Sequence, residues 1–295
     1  MRIACLQTAE PISYWYKDPD APGFDECLKA ADASRERCFA MLERAGRGGC
    51  HLAVTIEGMN RVTSIFDARF NPLLAAERPG GALTQRLSDI ARRYRMMIAA
   101  GLYTEQNGKL YNSLLFFDAD GKPRDIYNKV HLPYGERGLF TAGNRYLAYP
   151  TEFGLIAPLI CWDLQFPEAA RTVALMGADL IVCPTMGWEN LYGRCRAYEN
   201  VVTIACAMGL EADGSLYEFA DPSCVVDSAG AIVAAATRQG EQMVVCDIDI
   251  RKQAPMRYGL QNIPEDGSMR RVRMSQRRPD TYGLIVKENA YGVEV

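Results

Sequence analysis

The order of apolar and polar residues along this chain predicts strands that alternate with helices. Segment 3–7 consists of four apolar residues followed by Gln7, which is typical of a strand. Residues 24–46 carry apolar side chains at helical spacing, and a cluster of glycines ends this predicted helix. A β-branched apolar segment at 51–57 then predicts a second strand, which ends in a carboxylate.

The same alternation continues to about residue 250. Further strands are predicted at 96–103, 111–118, 154–161, 179–185, 201–208 and 243–250, with a hairpin at 224–236. Further helices are predicted at 83–94, at 167–177 and around 196–200. Because strands alternate with helices early in the chain and pair with one another later, the pattern favours an α/β fold with mixed sheets.

The last part of the chain differs in kind, because it is rich in Arg, Pro and Tyr and shows no sustained period. We therefore divide the chain into one large domain, residues 1–254, and a C-terminal arm, residues 255–295. Among the apolar residues of the arm are Met256, Tyr258, Met269, Val272, Met274, Tyr282, Leu284 and Ile285. A solvated tail would leave much of this surface exposed, so we expect the arm to pack on a partner subunit in a homodimer or larger homo-oligomer. Simple disorder of the arm is the alternative.

Composition limits the kinds of partner. A chain of 295 residues that is 48% hydrophobic can bury a large core. Its net charge of −3, with both signs interspersed, provides no basic surface for nucleic acid or for a membrane. No apolar segment reaches the roughly 18 residues of a membrane span, and no signal peptide precedes the first strand. We therefore expect a small-molecule partner and a cytoplasmic location.

Cysteine and histidine usage argues against disulfides and against a metal site. The ten cysteines are scattered through apolar strands and helices with no CxxC pair, which favours reduced thiols. The only two histidines are His51 and His131, so the clustered ligands of a zinc site are lacking. We predict neither a metal nor a cofactor.

Cys161 is the strongest candidate for chemistry. The apolar strand predicted at 154–161 ends on it, and Pro167 opens the helix that follows. A nucleophile suits a strand-to-helix turn, because the turn exposes the side chain while backbone N–H groups beside it can receive a developing oxyanion. The alternative is an ordinary buried cysteine, which is the commonest role of a free thiol in an apolar strand.

Two further polar residues, Glu57 and Lys129, also stand at the ends of strand-like segments. The surrounding motifs occur in a fixed order: YNKVHLP at 127–133, ERGLFTAGN at 136–144, LICWDLQFPEAAR at 159–171, GADLIV at 177–182 and RAYEN at 196–200. In this order and spacing the chain resembles the nitrilase superfamily of carbon–nitrogen hydrolases from about residue 2 to residue 250. Ile56 stands where the family usually has proline, so Glu57 is assigned by its place at the end of the second strand.

The resemblance implies a four-layer α-β-β-α sandwich with two mixed sheets, and it makes residues 1–254 a carbon–nitrogen hydrolase domain. It also implies a catalytic triad of Glu57, Lys129 and Cys161, with Glu136 as a second glutamate that orients the lysine or the substrate. In this assignment Glu57 is the general base and Lys129 stabilises the oxyanion.

Three aromatic residues are expected at the substrate pocket. Tyr134 and Trp162 are predicted to line it, and the Trp162 backbone N–H is expected to join the lysine in stabilising the oxyanion. Trp188 is predicted to form a wall of the pocket, with an ordinary core tryptophan as the alternative.

Simple arithmetic indicates why a base is needed beside the thiol. Lowering a thiol pKa from near 8.5 by about two units with a nearby ammonium corresponds to about 2.7 kcal/mol. Even a modest enzyme lowers its barrier by ~8 kcal/mol or more. The larger share must therefore come from a base held beside the nucleophile and from oxyanion stabilisation. His131 is the alternative base, since histidine is the usual partner of a catalytic cysteine.

The motifs divide between substrate classes. The Cys161-Trp162 pair and segment 134–137 resemble true nitrilases, whereas Asp163 and segments 166–168 and 278–284 resemble amidases and carbamoyl hydrolases. We therefore predict a hydrolase that cleaves a non-peptide C–N bond of a small amide or N-carbamoyl compound through a covalent thioester, releasing ammonia or an amine. A nitrilase is the alternative within the family, and a catalytically silent scaffold protein is the alternative outside enzymes.

Overall fold

The computed structural model describes residues 1–14, 17–65, 67, 69–71, 73, 75–253 and 268–287. The first half of the chain forms β1 (Arg2–Gln7), α1 (Phe24–Arg47), β2 (Leu52–Val54), α2 (Ala82–Tyr94), β3 (Met97–Gln106), β4 (Lys109–Phe117) and β5 (Tyr127–Asn128). The second half forms β6 (Tyr149–Thr151), β7 (Gly154–Pro158), α3 (Pro167–Leu175), β8 (Leu180–Thr185), α4 (Asn190–Asn200), β9 (Thr203–Met208), β10 (Cys224–Val226), β11 (Ile232–Ala235), β12 (Gln242–Asp247) and α5 (Met269–Ser275). Every predicted strand and helix is present, and the short strands β5 and β6 and helix α5 are additions.

The strands form two six-stranded sheets. The first sheet has the order β12-β1-β2-β3-β4-β5, and the second has the order β11-β10-β9-β8-β7-β6. In the first sheet β1, β2 and β3 run parallel to one another, and the other neighbours pair antiparallel. The second sheet repeats this arrangement, with β7, β8 and β9 as its parallel strands. Both sheets are therefore mixed, as predicted.

The two sheets pack face to face, and helices cover their outer faces. Cys5 of β1 lies in the same apolar cluster as Val182 of β8 in the second sheet. The neighbouring residue Ala4 points to the other face of the sheet, because successive side chains of a strand alternate between the two faces. It lies in a different apolar cluster, with Phe39 of α1 and Leu87 of α2. Helices α3 and α4 pack on the second sheet. This arrangement confirms the four-layer α-β-β-α sandwich.

The second strand is shorter than predicted. β2 ends at Val54, and Glu57 begins a turn in which Gly58 adopts a φ of +59°. The Thr55 N–H still donates to the Ala99 carbonyl oxygen of β3 at 3.0 Å, but residues 55 and 56 are no longer part of the strand. Glu57 is therefore carried by a turn beyond the strand rather than by the strand itself.

Gly101 of β3 allows the two sheets to meet at this turn. A Cβ atom at this position would lie 2.4 Å from the Ile56 carbonyl oxygen, 2.9 Å from Glu57 Cα and 2.9 Å from Pro184 Cβ. Such distances leave no room for any side chain, so only glycine fits here. The bare backbone at Gly101 thus brings the Glu57 turn of the first sheet against the end of β8 in the second.

The described part of the C-terminal arm packs on its own chain. Arg270 of α5 forms an ion pair with Asp179 at 2.9 Å, and its Nη2 donates to the Val201 carbonyl oxygen at 2.8 Å. Two of the apolar arm residues, Met256 and Tyr258, lie outside the described residues. Contact of the arm with a partner subunit stays a prediction.

Candidate active site

The four residues predicted to be catalytic lie together. Glu57 follows β2 and Lys129 follows β5 in the first sheet, whereas Cys161 follows β7 in the second. Lys129 Nζ donates to Glu57 Oε1 and to Glu136 Oε1, each at 2.8 Å. The Cys161 thiol lies within hydrogen-bonding reach of Glu57 and in the field of the Lys129 ammonium. The site is thus assembled from both sheets.

The three charged side chains of this cluster are almost completely buried. Lys129 is 0% exposed, Glu57 is 2% exposed and Glu136 is 6% exposed. A buried ammonium is costly unless it is paired and hydrogen-bonded, and here two carboxylates supply that pairing. Removal of Lys129 would therefore leave two carboxyl groups in the interior without a cation beside them.

Glu57 is held by three donors, which keep it ionised. Asn112 Nδ2 and Lys129 Nζ donate to Oε1 at 2.6 and 2.8 Å, and the Met186 backbone N–H donates to Oε2 at 3.0 Å. Burial alone would raise the pKa of Glu57, but the Lys129 charge and these hydrogen bonds hold the pKa below its usual value. Glu57 is therefore a carboxylate at neutral pH, which is the state that a general base requires.

Cys161 is a neutral thiol in the resting protein. Burial and then the negative charge of Glu57 raise the pKa of the thiol to about 12. The Lys129 ammonium, Thr185 and the Met186 N–H lower the pKa of the thiol, but their combined effect is smaller than that of burial and Glu57. A nucleophilic role for Cys161 would therefore require a base to take the proton from the sulfur, and Glu57 is the carboxylate beside it.

The backbone at Cys161 is strained, which fits a nucleophile turn. Its φ is +43°, in the left-handed region that residues other than glycine rarely adopt. Cys161 opens a 3₁₀ segment, Cys161–Gln165, and α3 follows from Pro167. Trp162 lies in the first turn of that segment, where backbone N–H groups have no intrahelical acceptor, so its N–H is available to an oxyanion.

Asp163 connects the turn at Cys161 to the segment that carries Lys129. Its buried carboxylate accepts hydrogen bonds from the Ile160 N–H at 3.0 Å, the Tyr127 hydroxyl at 2.7 Å and the His131 N–H at 2.9 Å. Tyr127 and His131 lie on either side of Lys129 in sequence. One carboxylate therefore fixes the lysine segment of the first sheet against the cysteine turn of the second.

His131 is engaged with groups other than the thiol. Its Nδ1 lies 3.0 Å from Asp163 Oδ1, and its ring stacks on Phe166 with the two ring centroids 4.0 Å apart. Glu57, in contrast, lies beside the Cys161 thiol. The geometry therefore favours Glu57 over His131 as the base.

Glu136 titrates near neutral pH. Burial and then the Glu57 charge raise the pKa of Glu136 to about 7. Its Oε2 and Asn112 Oδ1 are both buried acceptors without a donor among the described residues. A proton on Glu136 Oε2 makes this oxygen a donor. Asn112 is among the groups that interact with Glu136, so its Oδ1 is the acceptor at hand. Glu136 therefore carries a proton below about pH 7.

Replacing Glu136 by glutamine is expected to change how stability depends on pH. The folded-state pKa of about 7 lies above the unfolded value near 4.3, so the contribution of the protonated carboxyl is complete below about pH 4.3 and is lost as the pH rises through 7. Glutamine cannot ionise. The free energy of unfolding of Glu136→Gln, relative to the wild type, should therefore rise by about 2 kcal/mol between about pH 5 and about pH 8 in urea titrations. A difference that does not change with pH would contradict this, and the exposed Glu152→Gln is the matched control.

The three residues predicted to bind substrate lie at different depths. Tyr134 is 89% exposed and Trp162 is 40% exposed, whereas Trp188 is fully buried. A Cβ atom at Gly193 would lie 2.1 Å from the Trp188 ring, and the indole N–H donates to Asn190 Oδ1 at 3.0 Å. The structure therefore places Trp188 in the core, where it can support a pocket only from behind. Substrate contact by Tyr134 and Trp162 stays a prediction.

Three contributors to the site were missed in the sequence. They are Asn112, Thr185 and the Met186 backbone N–H. Asn112 carries a usable signal, because a polar amide inside the apolar strand predicted at 111–118 needs a buried partner. Thr185 could not be recognised in the sequence, because threonine is common at the end of a strand such as β8. The contribution of the Met186 N–H could not be predicted either, because every residue except proline has a backbone N–H.

The described residues show no disulfide, no metal site and no membrane-spanning helix. All ten cysteines are free thiols. Within the described ranges, no group of three His, Cys, Asp or Glu side chains is arranged to hold a metal ion. None of the helices in those ranges is both long enough and apolar enough to cross a membrane.

The fold and the site together define a class of protein, a two-sheet α/β sandwich with a cysteine, a lysine and two glutamates clustered where the sheets meet. The chain belongs to the carbon–nitrogen hydrolase family, whose model matches residues 2–258. This match confirms the resemblance inferred from the motifs.

Known relatives are similar along most of the chain. A probable nitrilase from Schizosaccharomyces pombe is 31% identical over 216 residues, which cover 70% of this chain and 75% of the relative. Omega-amidase from Homo sapiens is 30% identical over 270 residues, which cover 85% of this chain and 92% of the relative. N-carbamoylputrescine amidase from Solanum lycopersicum is 29% identical over 234 residues, which cover 70% of this chain and 74% of the relative.

A solved structure supports the fold. An amidase from Nesterenkonia sp. AN1 aligns with a TM-score of 0.65 and 22% identity, covering 84% of this chain and 93% of that chain. That structure shows acrylamide added to the active-site cysteine of the amidase. At this level of identity the likeness bears on the fold, and it agrees with the four-layer sandwich described above.

Proposed function

We propose that the chain is a thiol-dependent hydrolase that cleaves the C–N bond of a small amide or N-carbamoyl compound. The observation that carries this proposal is the neutral Cys161 thiol, on a strained turn, beside an ionised Glu57 that is paired with buried Lys129. A nucleophile, a base and a buried cation in contact are the groups that acyl transfer needs. Relatives named as amidases support this choice of bond.

In the first half of the reaction, Glu57 takes the thiol proton while the Cys161 sulfur bonds to the substrate carbonyl carbon. The electron pair of the carbonyl π bond moves to oxygen, and Lys129 Nζ and the Trp162 N–H stabilise the resulting oxyanion. As the oxyanion collapses, the C–N bond breaks and the proton on Glu57 passes to the leaving nitrogen. Ammonia or an amine departs, and the acyl group remains as a thioester on Cys161.

In the second half of the reaction, Glu57 takes a proton from water as the water oxygen attacks the thioester carbon. The same donors stabilise the second oxyanion, and its collapse breaks the C–S bond. The proton on Glu57 returns to the sulfur, which restores the resting thiol. An amide yields a carboxylic acid, and a carbamoyl group yields carbamic acid, which decomposes to CO2 and ammonia.

A nitrile is the alternative substrate. The Cys161-Trp162 pair resembles true nitrilases, and one relative is named as a probable nitrilase. The same thiol would add to the nitrile carbon to form a thioimidate, and water would then release ammonia and leave a thioester. The catalytic groups are the same for both substrates, so the products decide between them.

A substrate panel tests this proposal. Small amides, N-carbamoyl amino acids and nitriles are incubated with the protein, and ammonia, carboxylate and CO2 are quantified. We expect ammonia with carboxylate from an amide, or ammonia with equimolar CO2 from a carbamoyl compound. Nitrile turnover without amide or carbamoyl turnover would reassign the protein as a nitrilase. No turnover, together with no labelling of Cys161 by a thiol-reactive amide analogue, would favour the silent scaffold.

We also propose that the protein is a homodimer. Large exposed apolar side chains occur on α3, on α4 and near the C-terminus. Leu175 of α3 and Ile285 of the C-terminal arm line the same groove. A monomer would leave this surface in water, whereas two copies related by a two-fold axis can cover it. Light scattering should give twice the monomer mass, and Leu284→Asp should lower it. Val233→Asp, at an exposed apolar residue on β11, is the matched control.

A further inference from the structure

Arg61 lies on the turn that follows Glu57. Its backbone N–H donates to the Gly58 carbonyl oxygen at 2.8 Å, which closes the turn. Its side chain is 17% exposed, and Nη1 donates to Glu10 Oε2 at 2.7 Å. Glu10 is fixed in turn by the Ser13 hydroxyl, which donates to Oε1 at 2.8 Å. The position of the guanidinium is therefore set by the fold.

Part of this guanidinium has no partner. An arginine has five N–H donors in a planar fork, and either edge of the fork matches a carboxylate. The ion pair with Glu10 uses Nη1, and Nε is buried with no acceptor among the residues that the structure describes. Nη2 likewise makes no hydrogen bond within those residues. The edge formed by Nε and Nη2 is therefore unused, while Glu10 compensates the charge of the largely buried arginine.

Tyr103 brings a second donor to the same turn. A Cβ atom at Gly58 would lie 2.6 Å from Tyr103 Cζ and 2.9 Å from the hydroxyl oxygen, so the tip of the phenol lies against the turn. The ring packs on Phe140, with the ring centroids 4.8 Å apart. Within the described part of the chain, the hydroxyl makes no hydrogen bond. Its O–H is therefore a fixed donor that has no acceptor there.

Both donors lie next to the catalytic cluster. Burial is the largest influence on the pKa of Tyr103 and raises it, and the Arg61 charge opposes this. The charges of Glu57, Glu136 and Lys129 also act on the pKa of the Tyr103 hydroxyl. The arginine and the phenol are therefore near neighbours, and both border the groups that surround the reacting thiol.

We propose that Arg61 and Tyr103 form a subsite for a negatively charged group, so that the substrate is a small amide or N-carbamoyl compound with a carboxylate remote from the scissile bond. This inference rests on the proposed function, since it names the substrate class of the same site. The carboxylate accepts hydrogen bonds from the free edge of the guanidinium and from the phenol. A neutral amide of the same length leaves these donors unpaired, which a site of this kind discriminates against.

The test compares succinamate with its methyl ester, which has the same amide and chain but no charge. The pair is repeated with glutaramate, which is one methylene longer. We expect the wild type to favour the charged amide by about 100-fold in kcat/KM, mainly through KM. Arg61→Gln should remove most of this preference, and Tyr103→Phe should lower it about 10-fold. Arg78→Gln, which breaks an exposed ion pair with Glu105, is the matched control.

The outcomes separate this inference from the proposed function. The subsite would be refuted if amides were hydrolysed with no preference for the charged substrate, or if Arg61→Gln lowered kcat/KM equally for both substrates. The proposed hydrolase function would be unaffected by either result. If Arg61→Gln fails to fold, the ratio of kcat/KM for succinamate to kcat/KM for its methyl ester in Tyr103→Phe decides the question. Absence of amide and carbamoyl turnover would overturn the proposed function. Calorimetric titration of succinamate into the Cys161→Ala variant, with and without Tyr103→Phe, would then still decide whether the subsite exists.

Discussion

Replacing Cys161 by alanine is expected to abolish turnover and to leave the fold intact. The change removes only the sulfur, and it keeps a Cβ at a position whose φ of +43° the surrounding structure already enforces. Without the sulfur no thioester forms, so kcat should fall by on the order of 10⁴-fold or more. Cys161→Ser should retain at most a trace of activity, because a hydroxyl is far less acidic than a thiol and Glu57 cannot deprotonate it efficiently.

The control for this prediction is another cysteine. Cys195 is exposed, and Cys195→Ala should leave turnover unchanged. Thermal unfolding of Cys161→Ala should match that of the wild type. Mass spectrometry of a stalled reaction should find the acyl group on the peptide that contains Cys161, and finding it on Cys183 or Cys195 would refute the assignment.

Replacing Lys129 by methionine is expected to damage both activity and stability. The variant keeps a side chain of similar length, but it leaves Glu57 and Glu136 as buried carboxylates with no cation between them. Breaking a buried pair in this way costs about 3–5 kcal/mol of unfolding free energy. Loss of an oxyanion donor should in addition lower kcat by about 10²–10³-fold. Lys109→Met, at an exposed lysine of β4, is the matched control for urea unfolding and kinetics.

The Lys129 effect should not add to that of Glu57. Glu57→Gln keeps the shape of the side chain but removes the proton acceptor, and it should lower kcat/KM by about 10²-fold or more. Since the two residues act as a unit, the double variant should be little worse than the poorer single variant. Fully additive losses would mean that Glu57 and Lys129 act independently, and near-normal turnover by Glu57→Gln would return the base role to Glu136 or His131.

The order of strands and helices could be predicted from the sequence because apolar residues report burial. All six residues of β8 are buried, and the sequence there is an uninterrupted apolar stretch up to Pro184. The lengths of the strands were less predictable, since burial does not require pairing in a sheet. Thr55 and Ile56 are buried although β2 ends at Val54, so the predicted strand at 51–57 extends beyond the real one.

The side chains of the site could be named from their motifs, but the contacts that set their chemistry could not. Lys129 and Glu57 are 72 residues apart, and the Met186 N–H that binds Glu57 is 129 residues from it. Whether such groups meet depends on how the two sheets stack, which periodicity does not specify. The depth of Trp188 was likewise open, because a tryptophan before a helix suits either a pocket or a core.

The pairing of β12 with β1 has a consequence for how the protein is made. Arg2 lies opposite Asp247 in this ladder, and the Met1 amino group donates to the Ile248 carbonyl oxygen at 2.9 Å. During synthesis β1 emerges before β12, so the outer edge of β1 finds its partner only after the long segment between the two strands has left the ribosome. Contacts of such long range close slowly, and an unpaired edge strand invites association with other chains in the meantime. Newly made chains are therefore most vulnerable to aggregation just before the last strand arrives.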